Sequence, residues 1–169
     1  MLVRRERPGD VAAVRAVVAA AFPVPDGAAE PVEVGLLDRL RADAGWLPAF
    51  SLVAVVGDAV VAHVVATRGH VGEHPALGLG PIAVRPDHQG RGVGTALMHA
   101  VVAAAEARDE VLVALLGEPA FYARFGFRAA SEHGVEAPDP AWGGYFRVRA
   151  LADDPPRGPF RYAAPFDEL

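Results

Sequence analysis

Short apolar runs alternate along the chain with amphipathic stretches, and their two periods predict the elements. Leu2 to Arg5 is a strand candidate. After Pro8-Gly9, with Asp10 as N-cap, Val11, Val14, Val17, Val18 and Ala21 recur at helical spacing. Phe22 to Pro31 holds three prolines and a glycine and reads as a loop. A second helix is predicted over 32–44, from Val34, Leu37, Leu40 and Arg41, with Gly45 as its stop. Phe50 to Val56 and Ala59 to Thr67 are β-branched runs joined by Gly57-Asp58, a pair suited to a type II′ turn. Both runs are apolar at nearly every position, which predicts a sheet covered on both faces.

Arg68 to Pro75 reads as a polar connection carrying His70, Glu73 and His74, and Leu77 to Val84 as the next strand. A helix from about Gly92 to Ala107 places Val93, Ala96, Leu97, Ala100, Val101 and Ala104 on one face. The continuous apolar run Val111 to Leu116 follows. Strand, helix and apolar strand make a βαβ unit, which requires parallel pairing and a right-handed crossover. Pro119 opens a short helix that Gly126 ends. Phe127 to Ala130 and Tyr145 to Leu151 are strand candidates around a Pro/Gly loop at 131–144. Beyond Asp153 the tail has four prolines and no period, which predicts a segment packed on the domain or partly disordered.

Composition narrows the functional classes. The 169 residues, 52% hydrophobic and 22% charged, fit one globular domain, read here as residues 1–152 with a tail at 153–169. No apolar run approaches a membrane span, and the arginine-rich start lacks a signal-peptide core, so the expected location is cytoplasmic, without a membrane partner. The absence of cysteine removes disulfides and a thiol nucleophile, and no metal site is expected. A net charge of −5 argues against a nucleic-acid partner.

The most informative stretch is Gly80 to Gly94, G-P-I-A-V-R-P-D-H-Q-G-R-G-V-G. Three alternating glycines at a helix start bare main-chain N–H groups beside the positive end of the helix dipole, which suits a diphosphate. A P-loop needs a lysine, and all 16 basic residues are arginine. The dinucleotide fingerprint would want a third glycine where Thr95 stands. What remains is Q-x-x-G-x-G, Gln89 to Gly94.

That motif, followed by Phe121-Tyr122-Ala123-Arg124-Phe125-Gly126-Phe127, resembles the acyl-CoA signature and the F-Y-x-x-x-G-F element of the GNAT (GCN5-related) N-acetyltransferase superfamily, in its bacterial small-molecule type and YhbS-like branch. The match is best over residues 79–127, and the order of elements fits from Leu2 to about Leu151. The resemblance implies an α/β fold with a mixed, mostly antiparallel central sheet and helices on both faces. It also implies acetyl transfer from acetyl-CoA, or another acyl-CoA, to a primary amine of a small molecule or peptide by direct attack. A homodimer is left open by the family's habits.

The resemblance assigns roles residue by residue. Gln89, Gly90, Arg91, Gly92, Val93 and Gly94 would hold the diphosphate. The N–H of Ile82 would polarise the thioester, and Ala83 and Val84 would line the pantetheine arm. Tyr122 would protonate the departing thiolate, since a phenol keeps its proton at pH 7. The base is open. Many relatives carry a glutamate on the strand where this chain has Gly78. Glu33, Glu73 and His74 are candidates, Glu33 favoured because the first two helices wall the family's acceptor site; mid-strand His63 is read as facing the cleft or buried with a partner. Acidic residues Asp26, Glu30, Glu33, Glu132, Glu136 and Asp139, near Trp142, suit a cationic amine. The missing strand glutamate also motivates a rival reading, a catalytically inactive acyl-CoA sensor of the same fold.

Overall fold

The computed structural model describes all 169 residues. The elements run β1 (Leu2–Arg5), α1 (Val11–Ala21), α2 (Val32–Ala42), β2 (Ser51–Val56), β3 (Ala59–Val71), β4 (His74–Val84), α3 (Val93–Glu106), β5 (Leu112–Leu116), α4 (Pro119–Ala123), β6 (Arg128–Ala129), β7 (Val135–Glu136), β8 (Phe146–Ala150) and β9 (Gly158–Arg161). The main sheet is ordered β1-β2-β3-β4-β5-β8-β6. All its neighbours are antiparallel except β4 and β5, the two strands of the βαβ unit. This is the mixed α/β architecture the sequence predicts.

Helices cover both faces. On one, α3 packs Val93, Leu97, Met98, Val101, Val102 and Ala105 against Val64, Ala66 and Leu77 of the sheet. The buried stripe is wider than the predicted one: Met98, Val102 and Ala105 also point inward, and the predicted Ala100 and Ala104 pack half-buried against the same core. On the other face, α1 and α2 bury Val14, Val17, Val18, Val34 and Leu37 over Val53, Val65 and Ala83.

Three local expectations are corrected. Asp10 precedes α1 but its carboxylate does not cap it; it accepts from the Arg7 N–H and the Arg4 guanidinium instead. Gly45 does not stop α2, which ends at Ala42 with Asp43 extended, and the Asp43 carboxylate then accepts from the Gly45 N–H. The supposed connection at 68–75 is strand. β3 runs on to Val71 and turns at Gly72-Glu73, with Gly72 at φ 56°. Polar residues stay in the ladder there because Arg68 is paired with Glu110 at 2.7 Å, and because β9 of the tail adds to the edge β2 leaves free, His70 opposite Arg161 and Val71 opposite Phe160.

Candidate active site

The site grows from a sheet that comes apart. β4 and β5 pair only at Leu77–Val113 and Gly78–Ala114. Beyond Gly78, β4 keeps its partner β3 but has an open edge toward β5. The β3 ladder slips at Gly80-Pro81, where proline has no N–H to give. Past the slip, the Arg85 N–H bonds to the Val61 carbonyl. Alternation along a strand then turns the N–H groups of Ile82 and Val84 to the open edge. The Gln89 amide donates to the Val84 carbonyl at 3.0 Å and ties the glycine loop to the end of β4.

The loop itself is a row of free donors. Gly90 and Gly92 adopt φ 70° and 79°, a left-handed backbone that side chains resist, and Gly92 is the residue from which α3 starts. Main-chain N–H groups from Gly90 through Thr95 donate to no backbone carbonyl, and the first intrahelical bond is that of Ala96 to Gly92. Gly94 is different. It lies within α3, and a Cβ there would meet Val84 at an ordinary 3.6 Å. Arg91 is exposed at the loop's tip.

Two cavities meet at this edge. A groove of about 460 Å³ is lined by Ile82, Ala83, Val84, Gln89, Gly90, Gly92, Val93 and Gly94, with Phe121 and Arg124 of the second motif opposite. Of the predicted cofactor residues, it thus gathers all but Arg91 and Tyr122. A larger cavity of about 1180 Å³ opens on the α1–α2 side and is lined by Glu33, Ile82 and Tyr122 together. Phe22 and Ile82 belong to both walls, so the two spaces join at the residue expected to polarise a carbonyl.

Tyr122 is held by its surroundings. It is 9% exposed, edge-on to Phe121 and Phe127, and its ring lies across Gly117, where a Cβ would come within 2.2 Å of it. Burial pushes its phenol above the ordinary value, so it is protonated throughout the neutral range. Glu33 sits half-buried in the first turn of α2. The other base candidates lie elsewhere: Glu73 and His74 are exposed at the β3–β4 turn. His63 is fully buried, its Nε2 2.9 Å from the Ser51 hydroxyl and 3.3 Å from Glu6. Of the acidic residues read near an acceptor, Asp139 and Glu33 line the large cavity, as does Trp142, whereas Glu30 pairs with Arg15 and Glu132 with Arg128.

Sequence reasoning allowed for a tail packed on the domain but gave it no part in the site. Phe160, Tyr162, Phe166 and Asp167 form a wall of the large cavity. The only signal was the alternation of Phe160 and Tyr162 among prolines. Gly78, read as a missing glutamate, is where this wall docks: a Cβ on it would stand 2.5 Å from the Tyr162 ring.

Comparison with known proteins agrees with this geometry. The family model for the acetyltransferase (GNAT) domain matches residues 48–129. The uncharacterised N-acetyltransferase YhbS of Escherichia coli K12 is 31% identical over 157 residues, 91% of this chain and 89% of its own. The crystal structure of Escherichia coli YhbS in complex with CoA superposes with a TM-score of 0.88 at 27% identity, over 98% of this chain and 91% of that one. A GNAT family acetyltransferase from Brucella melitensis in complex with acetyl-CoA gives 0.80 at 32% identity, over 98% and 97%. With 31% identity to an N-acetyltransferase over 91% of its length, and a fold that superposes on the same protein's structure, the chain belongs to the GNAT family of N-acetyltransferases.

Proposed function

We propose that this enzyme moves an acetyl group from acetyl-CoA to a primary amine of a small molecule or peptide, by direct attack and without an acyl-enzyme. The observation that carries this is the row of free N–H groups from Gly90 to Thr95, set beside the open edge of β4. Such a row at a helix start suits a diphosphate, and an open strand edge suits the amides of a pantetheine arm. Arg91 adds a positive charge at the loop. The binding of CoA and acetyl-CoA by the two structural relatives supports the same occupant.

Each residue then has a task. Glu33, directly or through water, takes a proton from the incoming ammonium, because an amine near pKa ~10 is protonated at pH 7. The freed nitrogen lone pair forms the new bond to the thioester carbon while the Ile82 N–H donates to the carbonyl oxygen as charge gathers there. The carbon–sulfur bond breaks, and the Tyr122 O–H gives its proton to the leaving sulfur. Attack leaves the nitrogen cationic; it sheds its second proton, which restores Tyr122 through solvent, while the first passes from Glu33 to bulk water. The products are an N-acetyl amide and the free thiol. The test is incubation of the purified chain with acetyl-CoA and an amine panel, following thiol release and the acetylamide by mass. Thiol and amide in equal amounts are expected; binding heat with acetyl-CoA but no turnover with any amine would instead favour the sensor reading.

Three variants probe the supports of the site. Gly92→Ala places a Cβ at φ 79°, at a cost of roughly 1–2 kcal/mol, and sets it in the open space that a bound diphosphate would use. Calorimetry should find acetyl-CoA binding weakened about tenfold or more, with a lowered Tm. Gly94→Ala should leave Tm unchanged or raised, since alanine in a helix is favoured over glycine by about 0.5–1 kcal/mol. Gly117→Ala forces the Tyr122 ring aside. It is expected to lower kcat by about 100-fold in steady-state assays, in line with the cost of misplacing a catalytic group by ~1 Å.

A further inference from the structure

The large cavity has a composition that narrows its acceptor. Its lining is mostly apolar, 15 of 27 residues being hydrophobic, and its volume of about 1180 Å³ far exceeds what a short amine fills. The aromatic part is concentrated in one place. Tyr162 stacks at 4.6 Å on Phe166, stands edge-on to Trp142 at 6.4 Å and to Phe160 at 4.8 Å, and rests on Gly78. Three of these rings come from the last dozen residues, which β9 anchors to β3. Trp142 and Phe166 are half-buried, so their faces are shared between the protein and the cavity.

The charged part has one predominant sign. Glu33, Asp43, Asp139 and Asp167 line the cavity. Arg68 is there too, but its guanidinium is engaged bidentately by Glu110, at 2.8 and 2.7 Å, which leaves Arg161 as the one cation without such a partner. An aromatic wall together with an excess of carboxylates selects a cation that carries an apolar body, through burial of flat surface, cation–π attraction and charge. A substrate carboxylate would find one uncommitted cation, Arg161, against the four carboxylates, and a polyamine would leave the rings in contact with strongly hydrated methylene-ammonium units.

We infer that the acceptor is a primary amine borne on an aromatic or similarly flat apolar body and lacking a carboxylate, received by the Trp142, Tyr162 and Phe166 wall that the C-terminal segment builds over Gly78. The inference rests on the acetyl-transfer reading above and adds the substrate class. In it, Tyr162 takes the space that a strand side chain at position 78 would fill, so the place of a base has become part of a specificity wall. Tyr162 is a positioning residue for the amine, not a proton carrier.

The experiment uses the full chain with saturating acetyl-CoA and compares 2-phenylethylamine and tryptamine with spermidine and with phenylalanine, which has the same ring plus a carboxylate. The aryl monoamines should exceed both others by tenfold or more in kcat/KM. Tyr162→Leu and, separately, Gly78→Ala should each raise the aryl-amine KM about tenfold, with the acetyl-CoA Kd within twofold of wild type. Should Tyr162→Leu not fold, Phe166→Leu reads the same wall. A preference for spermidine or phenylalanine overturns the inference, as does an aryl-amine KM unmoved in the variants. So does failure to turn over any aryl amine while acetyl-CoA still binds. Absence of acetyl-CoA binding is a separate result, and strikes the acetyl-transfer reading itself.

Discussion

Tyr122→Phe is expected to lower kcat by about 100-fold or more while the acetyl-CoA Kd stays within about twofold. The substitution removes one oxygen and keeps the ring, so the contacts with Phe121 and Phe127 and the fit over Gly117 survive. What is lost is the proton offered to the departing sulfur, and positioned proton donors are worth roughly 10²–10⁴ in rate. A 100-fold loss corresponds to about 2.7 kcal/mol of transition-state stabilisation. Burial raises the Tyr122 pKa, so the wild-type group is protonated at pH 7–9 and its own ionisation should not limit the rate there. Steady-state kinetics with the best acceptor, alongside calorimetry with acetyl-CoA, separates the two effects. A variant with unchanged kcat would mean that water protonates the thiolate and that Tyr122 only packs.

How much of this was legible in the sequence depended on how local each cause is. The glycine loop reads directly because left-handed backbone at Gly90 and Gly92 leaves a mark in residue type. The third glycine is less marked: Gly94 lines the same groove, but its helical surroundings do not require glycine. The βαβ step was readable because an apolar run without alternation implies cover on both faces, as Leu112, Val113, Ala114 and Leu115 confirm. The length of β3 and β4 was not, since Arg68, Gly69 and His70 break the apolar pattern and are kept in the strand by Glu110 and by the tail. The tail hid for the same reason. Its prolines conceal the period, and its partner Gly78 shows only that something is missing there, not what fills the space. Gathering Glu33, Ile82 and Tyr122 on one cavity likewise needed the fold, because they come from α2, β4 and α4.

The last expectation concerns the ion cluster that holds α2, and with it Glu33 and Leu36, on the sheet. Glu6, 7% exposed, accepts from Arg41 at 3.0 and 2.5 Å and from the Ser51 hydroxyl, and lies 3.3 Å from His63. Arg41 also lies over Trp46, 5.6 Å from its ring centre. Burial pushes the Glu6 carboxyl up, but the hydrogen bonds of His63 and Ser51 and the charge of Arg41 outweigh it and bring the pKa down from 4.5 to about 2. Burial also lowers the His63 pKa, against the pull of Glu6, which keeps the imidazole neutral at pH 7. Both shifts destabilise the fold in acid, over different windows. As pH falls below the unfolded histidine value near ~6.5, the unfolded chain takes a proton that buried His63 resists. The Glu6 contribution, about 3 kcal/mol at ~1.36 kcal/mol per pKa unit, is complete above pH ~4.5 and is lost as pH falls through about 2. Glu6→Ala leaves half-buried Arg41 with only Asp38, 3.6 Å away, and should lower the unfolding free energy at pH 7 by about 3 kcal/mol. Urea denaturation from pH 7 to pH 3 checks both size and window: the gap between wild type and variant should hold from pH 7 to about 5 and narrow below ~4.5. A gap that stays constant to pH 3 would mean that Glu6 contributes through packing, and that α2 owes its place to Val34, Leu37 and Leu40 alone.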